Sequence, residues 1–135
     1  MNTTHLIIEH LSPYDVATTV EKIIEESAKR DWQNPHNHNL QQSLAKSGKE
    51  ILPVQVVEIC KANYSGKMLE MNDERIVSVM MPCRISVYQK EDGNTYVALM
   101  NMAEMTYGLT STAAQAIKEA SDEAFEIVKS VVGSF

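Results

Sequence analysis

The two cysteines are the residues of this sequence with the most distinctive chemistry. Cys60 lies in the run "VEICK", and Cys83 directly follows Pro82 in "MMPCRIS". A thiolate is a nucleophile and a soft ligand, and together with methionine thioethers it suits Cu(I) or haem iron. The main interpretation of Cys83 is a packed small hydrophobe. The alternative is a thiol-based metal, haem or redox site on Cys60 and Cys83.

Polar side chains near Cys83 and in a separate loop form a second group of candidates. Arg84 follows Cys83, and a guanidinium beside the amide of Asn101 can hold a carboxylate or a phosphate. His36 and His38 in "NPHNHN" could ligate a metal or respond to pH, or His38 could help to cap the next helix. The sequence therefore gives Cys83, Arg84, Asn101 and His38 as candidate ligand-binding residues.

The familiar catalytic and cofactor motifs are missing. The sequence has no GxGxxG or GxxxxGK[ST] loop, no HExxH or CxxC metal signature and no GxSxG elbow. The acidic clusters "EKIIEE" and "SDEAFE" are expected to be solvated helix surface, since they lie opposite apolar stripes. A binding protein is therefore favoured over an enzyme, and no cofactor is identified.

Length and composition indicate one acidic domain over residues 1–135. The 135 residues are 44% hydrophobic, and the formal net charge is -6. An acidic surface repels nucleic acid, and no apolar run reaches the length of a membrane span. The start of the chain lacks a signal-peptide pattern, so a cytoplasmic location with reduced thiols is expected.

Hydrophobic periodicity predicts an α+β fold. Strands are predicted over 5–11, 53–61 and 95–102, and the runs 75–82 and 83–90 are either one long strand bent at Pro82 or two strands in succession. A loop or very short strand is predicted over 33–39, and helices over 13–29, 40–49, 63–71 and from Thr112 to Gly133. Ser12 is the expected N-cap of the first helix, and Thr112 with Gln115 the capping box of the last. The predicted architecture is a small, mostly antiparallel sheet of about five strands, with two main helices packed on one face.

A turn at Asp92-Gly93 predicts that the last two strands form a hairpin. In the simplest register Lys90 pairs with Thr95, and this register fixes which side chains share a face. It places Cys83 on one face with Met100 and Met102, and Arg84 opposite Asn101.

The central part of the chain resembles a known family. The segments "EICKANYSGKML", "MPCRISVYQKEDG" and "YVALMN" within residues 57–101 are similar to the domain of unknown function 302 family, and the flanking segments are in keeping with its pattern. The resemblance implies an α+β domain with a small antiparallel sheet, commonly a homodimer, and no particular activity. Cys60 and Cys83 fit a cysteine-bearing branch of that family.

The predicted sheet has more apolar surface than its two long helices can cover. Two helices cover one face of a sheet, yet both faces of the last hairpin carry apolar side chains. A second subunit is the simplest cover for the other face. The sequence thus predicts a small cytoplasmic homodimer that binds a small ligand or partner without catalysing a reaction, with the thiol-based site on Cys60 and Cys83 as the alternative.

Overall fold

The computed structural model describes residues 6–133, and within this range the chain forms a five-stranded antiparallel sheet. The strands are β1 (Ile7–Ser12), β2 (Asn37–Asn39), β3 (Val54–Ile59), β4 (Cys83–Gln89) and β5 (Thr95–Met100). They lie in the order β1-β5-β4-β3-β2, and neighbouring strands are antiparallel. The predicted α+β class with a small antiparallel sheet is confirmed. His5, the first residue of the strand predicted over 5–11, lies outside the described residues.

Helices pack against one face of the sheet, which we call the helix face. The α-helices are α1 (Val16–Lys29), α2 (Leu40–Ala45), α3 (Ala62–Leu69) and α4 (Ser111–Val132), and two 3-10 helices span Asn72–Met80 and Met102–Met105. The core on this face joins apolar side chains of α1, α4 and the three central strands: Val16, Val20, Ile23, Val57, Ile59, Ile85, Val87, Val97, Leu99, Ala124, Ile127 and Val128. The opposite face, which we call the open face, carries the alternate residues of each strand.

The two long helices are amphipathic, and this property brings them to the sheet. The apolar side chains of α4 recur at helical spacing and are buried, as Ile117, Ala120, Ala124, Ile127, Val128 and Val131 show. Among the described residues, no helix has both the length and the apolar character that crossing a membrane requires.

Helix α1 begins later than predicted, with Asp15 rather than Ser12 as its N-cap. The Asp15 carboxylate accepts a hydrogen bond of 2.8 Å from the amide of Thr18. Ser12 remains the last residue of β1, and its hydroxyl lies 2.7 Å from the hydroxyl of Thr19. The prediction failed because the strand retains Ser12, which leaves the next capping residue in the chain to start the helix.

Helix α4 begins earlier than predicted. Its N-cap is Thr110, whose hydroxyl accepts a hydrogen bond of 3.3 Å from the amide of Ala113. Thr112 lies inside the first turn, and the side-chain amide of Gln115 donates to Glu119 at 3.0 Å instead of returning to a cap. The capping box predicted at Thr112 and Gln115 is therefore wrong.

The β4–β5 hairpin is one residue out of the predicted register. Gln89, not Lys90, pairs with Thr95. The loop contains an extra residue: the amide of Lys90 donates to the carbonyl of Asn94 at 3.1 Å, and Gly93 has a φ of +84°. A type I turn followed by a left-handed glycine forms this bulge. The helix face of the hairpin consequently carries Cys83, Ile85, Val87, Val97 and Leu99, and the open face carries Ala98 and Met100.

The segment predicted as a strand over 75–82 is mostly a 3-10 helix. Ile76, Val77 and Val79 favour a strand by composition, but a repeat of three places Glu74, Val77 and Met80 on one side of a 3-10 helix. In the structure Val77 is buried, whereas Ile76 and Val79 are 72% and 81% exposed. A cis peptide joins Met81 to Pro82, after which β4 begins.

Candidate functional site

A small pocket lies where β3 ends, β4 begins and both meet α3, α4 and the helix Asn72–Met80. We call it the thiol pocket, because both cysteines line it. Its volume is about 30 Å³, which is room for about one or two water molecules by the usual measure. Its walls are Trp32, Ile59, Cys60, Lys61, Tyr64, Ser65, Met68, Val77, Met80, Met81, Pro82, Cys83, Met102, Ile117 and Ala120.

A larger groove adjoins the thiol pocket and shares Met80, Pro82, Cys83 and Met102 with it. The volume of the groove is about 210 Å³. Its remaining walls are Val79, Arg84, Ile85, Leu99, Met100, Met105 and Ala124. Six of the chain's eight methionines border the pocket or the groove: Met68, Met80, Met81, Met100, Met102 and Met105.

Strand pairing brings the two thiols together. Cys83, the first residue of β4, pairs with Ile59, the last residue of β3, and Cys60 directly follows Ile59. Sγ of Cys83 lies 3.9 Å from Sδ of Met102, and Sγ of Cys60 lies 3.9 Å from Oγ of Ser65. The sequence left open whether the cysteines are neighbours; in the structure both border the same pocket.

Cys83 is a protonated thiol at neutral pH. Burial raises its pKa, and the nearby Cys60 raises it further, to about 11 from an ordinary 9.0. Reactive cysteines have the opposite property, a depressed thiol pKa. In the absence of a bound metal, Cys83 is therefore a poor nucleophile, and the pocket is arranged for packing or for ligation rather than for attack on a substrate.

A carboxylate of α4 fixes the polar edge of the thiol pocket. Glu123 accepts hydrogen bonds from Nε1 of Trp32 at 2.7 Å, from Nζ of Lys61 at 2.8 Å and from the hydroxyl of Tyr64 at 2.5 Å. The Lys61 ammonium also donates to the carbonyl of Arg30 at 3.0 Å. This cluster ties α4 to the start of α3 and to the chain that follows α1, so three walls of the pocket are held together.

The pKa values of this cluster follow from the same contacts. Burial acts to raise the pKa of Glu123, but hydrogen bonds from Lys61, Tyr64 and Trp32 outweigh it and lower the pKa from 4.5. The hydrogen bond to Glu123, with burial, raises the pKa of Tyr64 to about 12. The pair at the pocket edge is thus an ionised carboxylate and a neutral phenol.

Glu123 is a residue that the sequence interpretation misplaced. It belongs to "SDEAFE", which was expected to be solvated, yet its side chain is only 21% exposed. The position of Glu123 in the sequence does indicate where it lies. It comes three residues after Ala120 and four before Ile127, and residues at these spacings are neighbours on a helix, so Glu123 borders the apolar stripe of α4. The expectation failed because the cluster was taken as a unit, although helical geometry separates its members.

Of the predicted ligand-binding residues, His38 and Arg84 meet on the open face, around Glu58. Nε2 of His38 lies 3.0 Å from Oε2 of Glu58, and Nε of Arg84 lies 3.7 Å from the same oxygen. The hydrogen bond to His38 is the main cause that lowers the pKa of Glu58. The ring centroids of His36 and His38 are 4.6 Å apart. This cluster spans β2, β3 and β4 on the face opposite Cys83.

Arg84 and Asn101 are not a cross-strand pair, which corrects the prediction. Arg84 pairs with Glu58, and Asn101 follows the end of β5, where its amide donates to the carbonyl of Leu6 at 2.7 Å. The bulge in the hairpin loop causes this shift of one residue. Cys83 and Arg84 both line the groove, because they lie at its edge on opposite faces of β4.

A further ionic group on the open face was not anticipated from the sequence. Glu9 is 5% exposed, its carboxylate accepts a short hydrogen bond from the hydroxyl of Tyr88, and Nζ of Lys90 lies 3.0 Å from it. Burial and the contact with Glu9 raise the pKa of Tyr88. Alternation in β1 indicates which face Glu9 occupies, but the partners depend on the order of strands.

Hard metal ligands do not gather in the structure. Within residues 6–133, no three side chains among His, Cys, Asp and Glu form a group that could hold a metal ion. A combined site of His38 with the cysteines is not formed, since His38 lies on the open face. The two thiols with neighbouring thioethers are a different, softer donor set.

Comparison with known proteins places the chain in a family. Residues 8–132 match the family described as domain of unknown function DUF302. A curated relative, described as an uncharacterized protein from Aquifex aeolicus (strain VF5), is 31% identical over an alignment of 84 residues, and the alignment covers 59% of this chain and 57% of the relative. The match therefore spans little more than half of that relative's length.

A solved structure shares the fold. It is described as uncharacterized conserved protein DUF302 from Bacillus stearothermophilus, and it matches with a TM-score of 0.75 and 15% identity, over 96% of this chain and 97% of that chain. An identity this low supports the fold alone. Because the family match covers nearly all of the residues, as the central segments had indicated, the chain belongs to the DUF302 family.

Proposed function

We propose that this protein is a small-ligand-binding protein whose binding site is the thiol pocket with its adjoining groove. The observation that carries the proposal is the groove itself, an apolar recess of about 210 Å³ at the end of the sheet where Cys83 lies. Ligand sites are typically concave, apolar and lined by few polar groups. Arg84, whose side chain is 56% exposed, lines the groove and is the charged group placed to orient a ligand.

A binding role without catalysis agrees with the state of the titratable groups. The Cys83 thiol is protonated because burial raises its pKa to about 11, and the Glu123 carboxylate is already occupied by three donors. General acid–base catalysis requires a group that can exchange protons near neutral pH. We propose a single cytoplasmic domain over residues 1–135 that holds its ligand and does not transform it.

We also propose that two copies associate through the open face. On that face Leu11 is 48% exposed and Met100 is 44% exposed, while Val54, Val56 and Tyr88 are half-buried. Among the described residues, the core that joins α1 and α4 to the sheet lies on the helix face. Burying these apolar side chains against a second copy would remove them from water, at about 25 cal/mol per Å² of apolar surface.

A second candidate function is a thiol-based metal, haem or redox site on Cys60 and Cys83. The observation that favours it is that both thiols border one pocket. The groove, at about 210 Å³, is smaller than the roughly 300–1,000 Å³ typical of pockets for drug-sized ligands. The thiol pocket that both cysteines border is only about 30 Å³, so a single metal ion is the form of this candidate that the geometry supports best.

The binding proposal can be tested with a small aromatic probe, indole, and protein carrying ¹³C-labelled methionine methyl groups. We expect indole to shift the methyl resonances of Met80, Met102 and Met105, which line the groove. Met71, which lies outside the groove, is the internal control and should not move. No shift at any methionine, or an equal shift at Met71, would contradict the proposal.

A matched pair of variants sharpens this test. Val79 and Ile76 lie in the same 3-10 helix and are 81% and 72% exposed, but Val79 lines the groove and Ile76 does not. Val79→Asp places a charge at the mouth of the groove and should weaken indole binding about tenfold, since burying apolar area next to an unpaired charge is costly. Ile76→Asp should leave the affinity unchanged.

A further inference from the structure

We propose that the thiol pocket is a site for one Cu(I) ion, held by the sulfur atoms of Cys60, Cys83 and Met102. This inference rests on the proposed function, because it names the ligand of the inner part of the same site. The groove is large enough for a small organic molecule. The pocket behind it, at about 30 Å³, is the size of an ion or a water molecule.

The spacing of the sulfur atoms fits a metal–sulfur site. Sγ of Cys83 and Sδ of Met102 are 3.9 Å apart. Bonds from a metal to sulfur are about 2.3 Å long, so two sulfurs at the corners of a trigonal site lie about 4 Å apart. Cys83 and Met102 therefore already stand near the separation that a shared ion requires. Cys60 borders the same small pocket and is the third corner.

The donor set selects for a soft ion. None of the residues that line the pocket is His, Asp or Glu, so carboxylate ligands, which suit Mg²⁺ or Mn²⁺, are not among them. Thiolates also bind Zn²⁺, but Zn²⁺ usually takes four Cys, His or carboxylate ligands, and this pocket offers two thiols and thioethers. Thiolate and thioether sulfur prefer Cu(I). Met68, Met80 and Met81 complete the sulfur-rich wall.

Binding of Cu(I) changes the number of protons and the net charge in the pocket. Cu(I) replaces the two thiol protons, which leave to solvent, and the resulting bis-thiolate complex carries one net negative charge. Lys61 lines the same pocket, with its ammonium group 2.8 Å from Glu123. Because Glu123 already neutralises this ammonium, the added negative charge is left to the dipoles of the pocket and to solvent at its edge.

The experiment is an anaerobic competition of the reduced full-length protein against a coloured bicinchoninate complex of Cu(I). We expect one Cu(I) per chain, an ultraviolet thiolate-to-copper absorption band, and protection of both thiols from alkylation. Cys60→Ser and Cys83→Ser should each lower the affinity more than about 100-fold, because even changes to residues that only support a ligand cost 10–100-fold.

Met102→Leu keeps the size of the side chain and removes the sulfur, so it tests ligation in a protein that still folds. It should weaken Cu(I) binding about tenfold, while Met71→Leu, an exposed methionine away from the pocket, should not change it. Unfolding curves for each variant separate the loss of a ligand from the loss of the fold.

Three outcomes would overturn the copper site: no Cu(I) retained by the wild type, tighter binding of Zn²⁺ than of Cu(I), or equal losses in Met102→Leu and Met71→Leu. If the indole shifts at Met80, Met102 and Met105 persist while Cu(I) is not retained, the binding proposal stands and the metal inference fails. If Cu(I) is retained with the expected losses but indole shifts nothing, the site binds the ion and the proposed organic ligand is wrong.

Discussion

Cys83 lies among sulfur and hydrocarbon side chains, and its chemistry follows from these neighbours. The thiol contacts Met102, lines both the pocket and the groove, and has a pKa of about 11 because it is buried. A cysteine in these surroundings is nearly unreactive until an ion or a rise in pH removes its proton. Its reactivity is therefore a direct measure of whether the pocket is closed.

We predict slow alkylation of Cys83. In a Cys60→Ser background at pH 7, iodoacetamide should modify Cys83 at least about tenfold more slowly than an unfolded cysteine. Burial, the main cause of the raised pKa of Cys83, remains when the smaller contribution of Cys60 is removed, and the thiolate is the attacking form. The rate should keep rising with pH beyond pH 9. A plateau of the rate below pH 9 would show that the thiol is not held in its protonated form.

Cys83→Ala is the control for this measurement. It removes the alkylation signal, and it should lower the free energy of unfolding by about 1–2 kcal/mol, since one buried sulfur is deleted and a small cavity remains. Urea unfolding measures this decrease. A much larger cost would mean that Cys83 organises the strand end instead of filling space.

At the scale of elements, Glu123 connects α4 to the segments around it. Its three donors come from Trp32, from Lys61 and from Tyr64 in α3. Because these bonds stabilise the ionised carboxylate, the pKa of Glu123 is lower than in the unfolded chain, where 4.5 is ordinary. The stabilisation is fully present above about pH 4.5 and is lost as the pH falls through the lower, folded value.

We predict that Glu123→Gln lowers the free energy of unfolding at pH 7 by about 1–3 kcal/mol, the range for hydrogen bonds to a charged group. The difference from the wild type should stay constant from pH 7 to pH 5 and shrink below about pH 4.5. Urea unfolding at a series of pH values measures it. Glu126→Gln, on the exposed side of α4, is the matched control and should change little; a Glu123→Gln difference that persists to pH 3 would contradict the assignment.

The elements also show where sequence patterns were informative. The apolar stripes of α1 and α4 and the alternation in β4 and β5 predicted the helices, the strands and the fold class, because burial imposes those periods. The helix Asn72–Met80 was missed because "RIVSVMM" is rich in residues that favour strands. That composition masked the three-residue spacing of Glu74, Val77 and Met80, which is typical of a 3-10 helix. The hairpin register was missed because a single glycine bulge moves every later pair by one residue.

The candidate site was predictable in its components but not in its assembly. Cys60, Cys83 and Met102 were each identified from their chemistry, and Met102 was placed near Cys83. The structure brings Met102 to Cys83 from the 3-10 helix after β5, not from the strand itself. Contacts between distant segments depend on strand order and register, which no local pattern of a single sequence contains.

For the whole molecule, the open face is the surface through which we propose that two copies associate. Leu11 and Met100 are nearly half exposed on this face, and the ionic groups around Glu9 and Glu58 are already paired. A face with apolar side chains and neutralised charges is suited to self-association. A stable interface requires about 1,000 Å² or more of buried surface.

We predict that the protein is a dimer in solution and that Leu11→Arg or Met100→Arg converts it to a monomer, because each change places an unpaired charge in the interface. Size-exclusion chromatography with light scattering measures the mass. Leu69→Arg, which changes an apolar side chain of comparable exposure (36%) on α3, should leave the dimer intact. A monomeric wild type would rule out this interface.

One buried acid bears on how easily the wall of the thiol pocket can open. Glu74 is 4% exposed, and neither of its carboxylate oxygens has a hydrogen-bond partner among the described residues. It belongs to the 3-10 helix that also contributes Val77 and Met80 to the pocket wall. Transient detachment of that helix would let water solvate the acid, and this solvation offsets part of the free energy needed to expose Val77 and Met80 to water. The burial of Glu74 therefore lowers the free energy that is needed to open the wall over the sulfur atoms.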